Sequence, residues 1–321
     1  MSEHPALALY QYSLALRSPL NLGPTTLGTR EGLLVQVGTG WGEIAPLPGF
    51  STEGLQEAIQ DAMEALRTLA ARREPNPRHS SVRFGLDCAR LPWPPPQASS
   101  APSYALLAGD ADAWLERTDP WISQLPHKVK IKVGRQNPAS ELALIRRVCT
   151  ARPDLTLVLD ANGAWSRAQA VAFCSALTSV SIAYLEDPCD KLQDIEAVAR
   201  ATGMPVALDR SIAAGQDWRP FPGLVAVVVK PMLIGSIAHN ERLANRALAA
   251  GLAVVVSSSF ESGVGLTHLR ALASKWSPSE HPGLDTRRYF DNDVLTPNGL
   301  PDLSRLQCLW CDPPTAVDET F

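Results

Sequence analysis

From Tyr104 onward the sequence alternates a short apolar run with an amphipathic stretch about every 20 to 30 residues, and few architectures accept that rhythm. The runs are "KVKIKVG", "LTLVLDANGAW", "IAYLEDP", "PVALDRS", "LVAVVVKP" and "LAVVVSSS". They are nearly continuous in Val, Leu and Ile, as strands covered on both faces must be. Helix signals stand between them: Asn137-Pro138 as cap and first turn, Ser166 as a cap, a helix over Gln193 to Ala201, one from Ser236 that stops at Gly251, and another from about Leu266. No G-x-G-x-x-G follows the first strand, which favours a closed parallel barrel over an open nucleotide-binding sheet.

The preceding region has a different texture. From Ala6 to Glu43, short alternating segments are broken by "NLGPTTLG" and "VGTGWG", the pattern of an antiparallel sheet with Gly and Pro turns. "STEGLQEAIQDAMEALRTLAARR" follows, with Ser51 or Thr52 as expected cap and Leu55, Ile59, Ala62, Leu66 and Leu69 on one helical stripe. "PWPPPQASSAP", Pro92 to Pro102, can neither pair centrally in a sheet nor continue a helix, so it reads as a linker. After about Tyr289 the alternation ends, and the tail is expected to pack back on the N-terminal sheet. The expected division is residues 1–100 with 289–321 in one unit and 101–288 in the barrel.

Composition narrows the class of partner. The formal charge of −4 over 321 residues, without a long basic run, argues against nucleic acid or an anionic membrane and for a small molecule. No apolar run approaches the length of a bilayer span, and the N-terminus lacks the basic start of a signal peptide. Six scattered cysteines are expected to be reduced thiols of a cytoplasmic protein, and Cys308-x-x-Cys311 lacks the second pair that a zinc site needs. A monomer or weak homo-oligomer is expected.

Three lysines in "HKVKIKVG", Lys128, Lys130 and Lys132, point to one face if the run is a strand. Charged residues recur at the strand ends: Lys132, Asp160, Glu186, Asp209, Lys230, then Ser257 to Ser259. Taken singly, a lysine there is a solvated rim residue, an aspartate a helix cap and a serine run a polar exit. In a parallel barrel, however, all these ends surround one mouth, where active sites form. Three carboxylates drawn together need a cation among them, and an all-oxygen set suits Mg2+ (or Mn2+) rather than Zn2+. Lys130, Lys132 and Lys230 beside that charge are expected to lose protons more easily than free lysine, the condition for acid-base work.

The ordered set "KIKVG", "LDANGAW", "YLEDPC", "VALDRS", "VVVKPMLIGS", "SSSFESGVGL" and "PGLDT" resembles the muconate-lactonizing branch of the enolase superfamily, most closely its o-succinylbenzoate synthases; "WGEIAPLPGFS" resembles their substrate-covering loop. The resemblance implies a modified (β/α)7β TIM barrel with an α+β capping domain built from both termini. It implies Lys132 as the acid-base residue, Lys130 as its neighbour, Lys230 on the opposite face, and Asp160, Glu186 and Asp209 as Mg2+ ligands. Ser257, Ser258 and Gly283 would line the substrate carboxylate pocket, with Asn162 nearby. The implied reaction is the dehydration of 2-succinyl-6-hydroxy-2,4-cyclohexadiene-1-carboxylate (SHCHC) to o-succinylbenzoate, a step toward menaquinone. Relatives on this scaffold include muconate cycloisomerases and racemases or epimerases of N-acyl amino acids and dipeptides. A non-catalytic barrel is disfavoured by the retained lysines and carboxylates. Two positions depart from the family: Arg210 stands where Glu is usual after Asp209, and Asp187 follows Glu186 where Glu or Gln is common. Strand alternation predicts a side-chain ion pair between them that holds Glu186 and Asp209 in place.

Overall fold

The computed structural model describes residues 6–22, 25–95, 102–177 and 180–312. Of the linker, 96–101 lie outside that set, as do the first five and last nine residues.

The first layer is an antiparallel sheet of β1 (Leu7–Leu22), β2 (Thr25–Val37) and β3 (Gly40–Ile44), covered by α1 (Leu55–Ala70) and α2 (Ser80–Ala89). Its alternation fixes what each face buries. Leu7, Leu9, Leu33, Val35 and Ile44 pack with Ala58, Ala62 and Leu66 of α1 and Val82 and Leu86 of α2. Tyr12, Leu14, Leu34 and Trp41 face the other way, against Val264, Phe290 and Val294. Gly54, rather than Ser51 or Thr52, caps α1: Glu57 reaches back to the Gly54 N–H at 2.8 Å. Ser51 instead accepts the Leu47 N–H at 2.8 Å and so folds the "APLPGFS" loop on itself.

The sheet meets α2 at van der Waals limits. A Cβ on Gly42 would stand 1.9 Å from the Gly85 carbonyl oxygen, and one on Gly85 would stand 2.4 Å from Ile44 Cγ1. Backbone cannot yield as a flexible side-chain tip can, so Gly42→Ala is expected to destabilise by about 3 kcal/mol or more, the upper end for overpacking. Urea unfolding measures this; a loss below about 1 kcal/mol would mean that α2 is free to shift.

The second layer is parallel throughout: β4 (Ala105–Leu107), α3 (Ala111–Glu116), β5 (Lys128–Lys132), α4 (Pro138–Ala151), β6 (Thr156–Asp160), α5 (Arg167–Ser175), β7 (Ile182–Glu186), α6 (Leu192–Thr202), β8 (Val206–Leu208), α7 (Arg210–Ala213), β9 (Leu224–Val229), α8 (Pro231–Ile234), α9 (Ile237–Ala249), β10 (Ala253–Val256) and α10 (Gly263–Trp276). The strands lie in sequence order from β4 to β10. Closure comes from a segment too short to be a strand. Gly283 N–H donates to Val256 O at 2.8 Å, Ser258 N–H to Gly283 O at 3.0 Å, and Tyr104 N–H to Pro282 O at 3.2 Å, so residues 282–283 bridge β10 to the residue before β4. One strand face packs on the helices. The other fills the barrel with Tyr104, Val158, Tyr184, Ala207, Ala226, Val228 and Val255. Asn137, Ser166 and Ser236 cap α4, α5 and α9 as their sequences predict, and α10 starts at Gly263 with Ser262 as cap.

The tail returns as β11 (Gln307–Asp312), antiparallel to β1, which completes the capping sheet in the order β11-β1-β2-β3. Two buried side chains join the layers. Glu43 accepts the Ser262 and Gly265 N–H groups at 2.9 and 2.7 Å, capping α10 from β3. Arg30 donates to the carbonyls of Ala45, Pro46 and Phe260 at 2.6, 2.9 and 3.1 Å, holding the covering loop against the loop after β10.

Candidate active site

Register carries the charged strand ends to one place. Lys132 is paired with Asp160 across β5 and β6, and Asp160 with Glu186 across β6 and β7. Asp209 and Lys230 follow the last residues of β8 and β9. All three carboxylates are buried: Asp160 is 1%, Glu186 0% and Asp209 1% exposed. Lys130 Nζ bridges Asp160 Oδ2 at 2.7 Å and Glu186 Oε1 at 2.7 Å. Lys132 Nζ lies 2.5 Å from Asp160 Oδ2 and donates to Asn162 Oδ1 at 2.7 Å. Lys230 pairs with Asp209.

These contacts divide the lysines. Burial lowers the pKa of Lys132; the Asp160 charge opposes this and Lys130 adds to it, leaving the group below an ordinary lysine. For Lys130 burial also lowers, but Asp160 and Glu186 together outweigh it and the pKa stands well above normal. Lys230 is likewise raised, burial being overcome by Asp209 and Glu186. The protein's own charges thus lower Lys132 and raise Lys130 and Lys230, whereas the expectation for the three was framed for lysines beside Mg2+. Burial and the charge of Asp160 push Glu186 up to about 8, so further positive charge here would be stabilised.

Three buried carboxylates, with no nitrogen or sulfur donor, match the chemistry of a hard divalent cation. Among the described residues, no three acidic, histidine or cysteine side chains stand close enough to hold a metal ion as placed. The Lys130 ammonium stands between two of the carboxylates instead. The donor set fits Mg2+.

The predicted Arg210–Asp187 ion pair is not formed. β8 ends at Leu208 and Asp209 opens the short α7, so strand alternation no longer governs position 210. The Arg210 guanidinium turns outward, to Asn162 O at 2.9 Å and Asp190 Oδ1 at 3.2 Å. Asp187 is buried at φ +39° and accepts the backbone N–H groups of Asp209 and Arg210 at 3.2 and 2.7 Å. It thus positions Asp209 through the main chain. Asp187→Asn, which forfeits one of these acceptors, is expected to weaken Mg2+ binding about 10- to 100-fold, as groups behind metal ligands do. Arg210→Gln should change it less than about threefold. Equal losses in a calorimetric titration would contradict this division of roles.

Lys130, Lys132, Lys230, Asn162, Ser257, Ser258 and Gly283 line a single pocket beneath Leu20, Leu22, Leu47 and Phe50 of the capping sheet and its loop. Ser258 Oγ is 2.7 Å from Thr286 Oγ1. A Cβ at Gly283 would stand 2.2 Å from Tyr104 Oη and 2.7 Å from Ser257 Oγ, so only glycine keeps this wall open. Lys128 shares the face of Lys130 but lies at the far end of β5, paired with Glu280 at 3.1 Å and 5.7 Å from the Tyr184 ring centre. It plugs the barrel and takes no part in the site. Tyr104, Arg135, Asp285, Thr286 and Tyr289 also line the pocket and were not expected. Of these, Arg135 follows the K-x-K-V-G run where the strand leaves the barrel, and Asp285 and Thr286 stand in the motif "PGLDT".

Known proteins resemble this chain along most of its length. The family models for the enolase C-terminal domain-like fold and for the MenC N-terminal domain match residues 115–303 and 5–93. The o-succinylbenzoate synthase of Pectobacterium atrosepticum is 38% identical over 305 residues, 90% of this chain and 92% of the relative. That of Edwardsiella ictaluri is 38% identical over 89% of this chain and 92% of its own. The crystal structure of the o-succinylbenzoate synthase of Thermosynechococcus elongatus, complexed with Mg in the active site, is 26% identical, superposes with a TM-score of 0.70, and covers 90% of this chain and 95% of its own. This chain belongs to the o-succinylbenzoate synthase family of the enolase superfamily.

Proposed function

We infer that the chain is a hydro-lyase that dehydrates SHCHC to o-succinylbenzoate in menaquinone biosynthesis. The observation that carries this reading is geometric: Lys130, Lys132 and Lys230 line one pocket beneath Leu47 and Phe50, and their partners are the three buried carboxylates Asp160, Glu186 and Asp209.

Lys132 takes the proton alpha to the substrate carboxylate, and its hydrogen bonds to Asp160 and Asn162 aim the amine from one side. Lys230, held by Asp209 and kept protonated, offers positive charge from the end of β9, four strands on from β5, to the electron-rich intermediate. Lys132, now protonated, returns the proton to the departing hydroxyl, so one residue serves both steps and water leaves. Lys130 keeps its charge and sets the field around Lys132. Asp160, Glu186 and Asp209 would hold Mg2+, or Mn2+ in its place, which supplies Lewis acidity for ionising the alpha carbon as enolase-superfamily sites do. Ser257, Ser258 and Gly283 border the carboxylate pocket, with Asn162 beside the base. Leu47 and Phe50 exclude water from above.

No helix among the described residues is long and apolar enough to cross a membrane. We propose a cytoplasmic enzyme, a monomer or weak homo-oligomer, with residues 1–100 and 289–321 as cap and 101–288 as barrel, and with no nucleic-acid partner. Incubation with SHCHC and Mg2+, followed by product absorbance, tests the reading. Preferential conversion of muconate, or racemisation of an N-acyl amino acid or dipeptide, with SHCHC left intact would replace it with another branch of the superfamily.

A further inference from the structure

Four cations line the pocket, and three of them are held by buried carboxylates: Lys130 by Asp160 and Glu186, Lys132 by Asp160, and Lys230 by Asp209. The fourth is Arg135. Among the described residues its guanidinium has no acidic partner; it makes one side-chain hydrogen bond, to Asn162 Oδ1 at 3.3 Å, the oxygen that Lys132 also reaches. Asp285, the one carboxylate among the lining residues, is 3.1 Å from Arg288.

Arg135 is mounted on a rigid base. Buried Glu141 accepts the N–H groups of Gly134, Arg135 and Gln136 at 2.9, 3.0 and 3.1 Å, pinning the loop between β5 and α4. A fixed backbone with an unmatched guanidinium at the end of a flexible stem, open to solvent at the pocket edge, is a prepared anion site.

The substrate of the dehydration carries two carboxylates, one on the ring at the carbon that loses its proton and one at the end of the succinyl arm. The first belongs beside Lys132 and the metal ligands. The second enters a pocket whose capping wall is Leu20, Leu22, Leu47 and Phe50, where an unpartnered carboxylate is costly. We propose that Arg135 binds this second carboxylate and so selects for the dianionic, succinyl-bearing substrate; the proposal rests on the dehydration reading above.

The test uses Arg135→Gln and Arg135→Lys in the full-length protein. By calorimetry with Mg2+ present, the wild type should bind o-succinylbenzoate about 10- to 100-fold more tightly than 2-butanoylbenzoate, which keeps the ring carboxylate and replaces the distal one by methyl. In Arg135→Gln that ratio should fall below about threefold, and Arg135→Lys should restore part of it. With SHCHC, Arg135→Gln should raise KM about 10- to 100-fold and leave kcat within about fivefold, the signature of binding lost equally in ground and transition states. An unchanged ratio in Arg135→Gln overturns the proposal, as does an equal loss for both ligands, which a merely structural role would give. Failure of the wild type to convert SHCHC would overturn the dehydration reading separately, because the ligand ratio is read without turnover.

Discussion

Lys132→Ala is expected to lower kcat for SHCHC dehydration by at least about 10³-fold and to abolish exchange of the alpha proton with solvent. The mechanism assigns proton removal and proton return to this one amine, so the substitution strikes both steps, and general acid-base catalysis alone contributes about 10²–10⁴-fold. The fold should survive. Asp160 keeps Lys130 at 2.7 Å as a counter-charge when Lys132 is gone, so no buried carboxylate is left bare, the usual cause of large losses on breaking such pairs. Lys132→Arg should not rescue activity, because a guanidinium restores the charge but does not give up a proton near neutral pH. Far-ultraviolet circular dichroism and thermal melting check the fold, and deuterium incorporation followed by mass spectrometry checks the exchange. Activity within about tenfold of wild type would remove Lys132 from the role.

The parts of this site that were legible in the sequence are those set by strand periodicity. Lys130, Lys132, Asp160 and Glu186 fall on one face because side chains alternate along β5, β6 and β7, and parallel register lines them up. The helix caps at Asn137, Ser166 and Ser236 were legible for a similar local reason, since each side chain caps its own first turn. What the sequence concealed depends on contacts between distant segments. The closing strand is a two-residue bridge at 282–283, too short to leave a pattern. Tyr104 enters the pocket from the residue before a three-residue strand. The Arg210 error arose because alternation was extended past Leu208, where the chain had already turned into α7. The expectation for the lysines rested on Mg2+ beside them and left out the carboxylates that they face, Asp160 shared by Lys130 and Lys132 and Asp209 on Lys230.

The second large effect is expected on removing the metal. Dialysis against a chelator should bring SHCHC turnover to background, and Mg2+ or Mn2+, both hard ions suited to oxygen donors, should restore it. Unfolding should not accompany the loss. Lys130 stands between Asp160 and Glu186 and Lys230 on Asp209, so the carboxylates keep counter-charges when the cation is withdrawn. A test that does not depend on turnover reads the ligands directly: Glu186→Gln, Asp160→Asn and Asp209→Asn should each weaken Mg2+ binding. Thermal melting reads these changes, since Mg2+ at about 100 times its Kd stabilises the folded state by roughly 2.7 kcal/mol. Full activity after exhaustive dialysis, with elemental analysis showing no bound metal, would refute the metal assignment. If the three carboxylate variants all bind Mg2+ as the wild type does, the ion sits elsewhere.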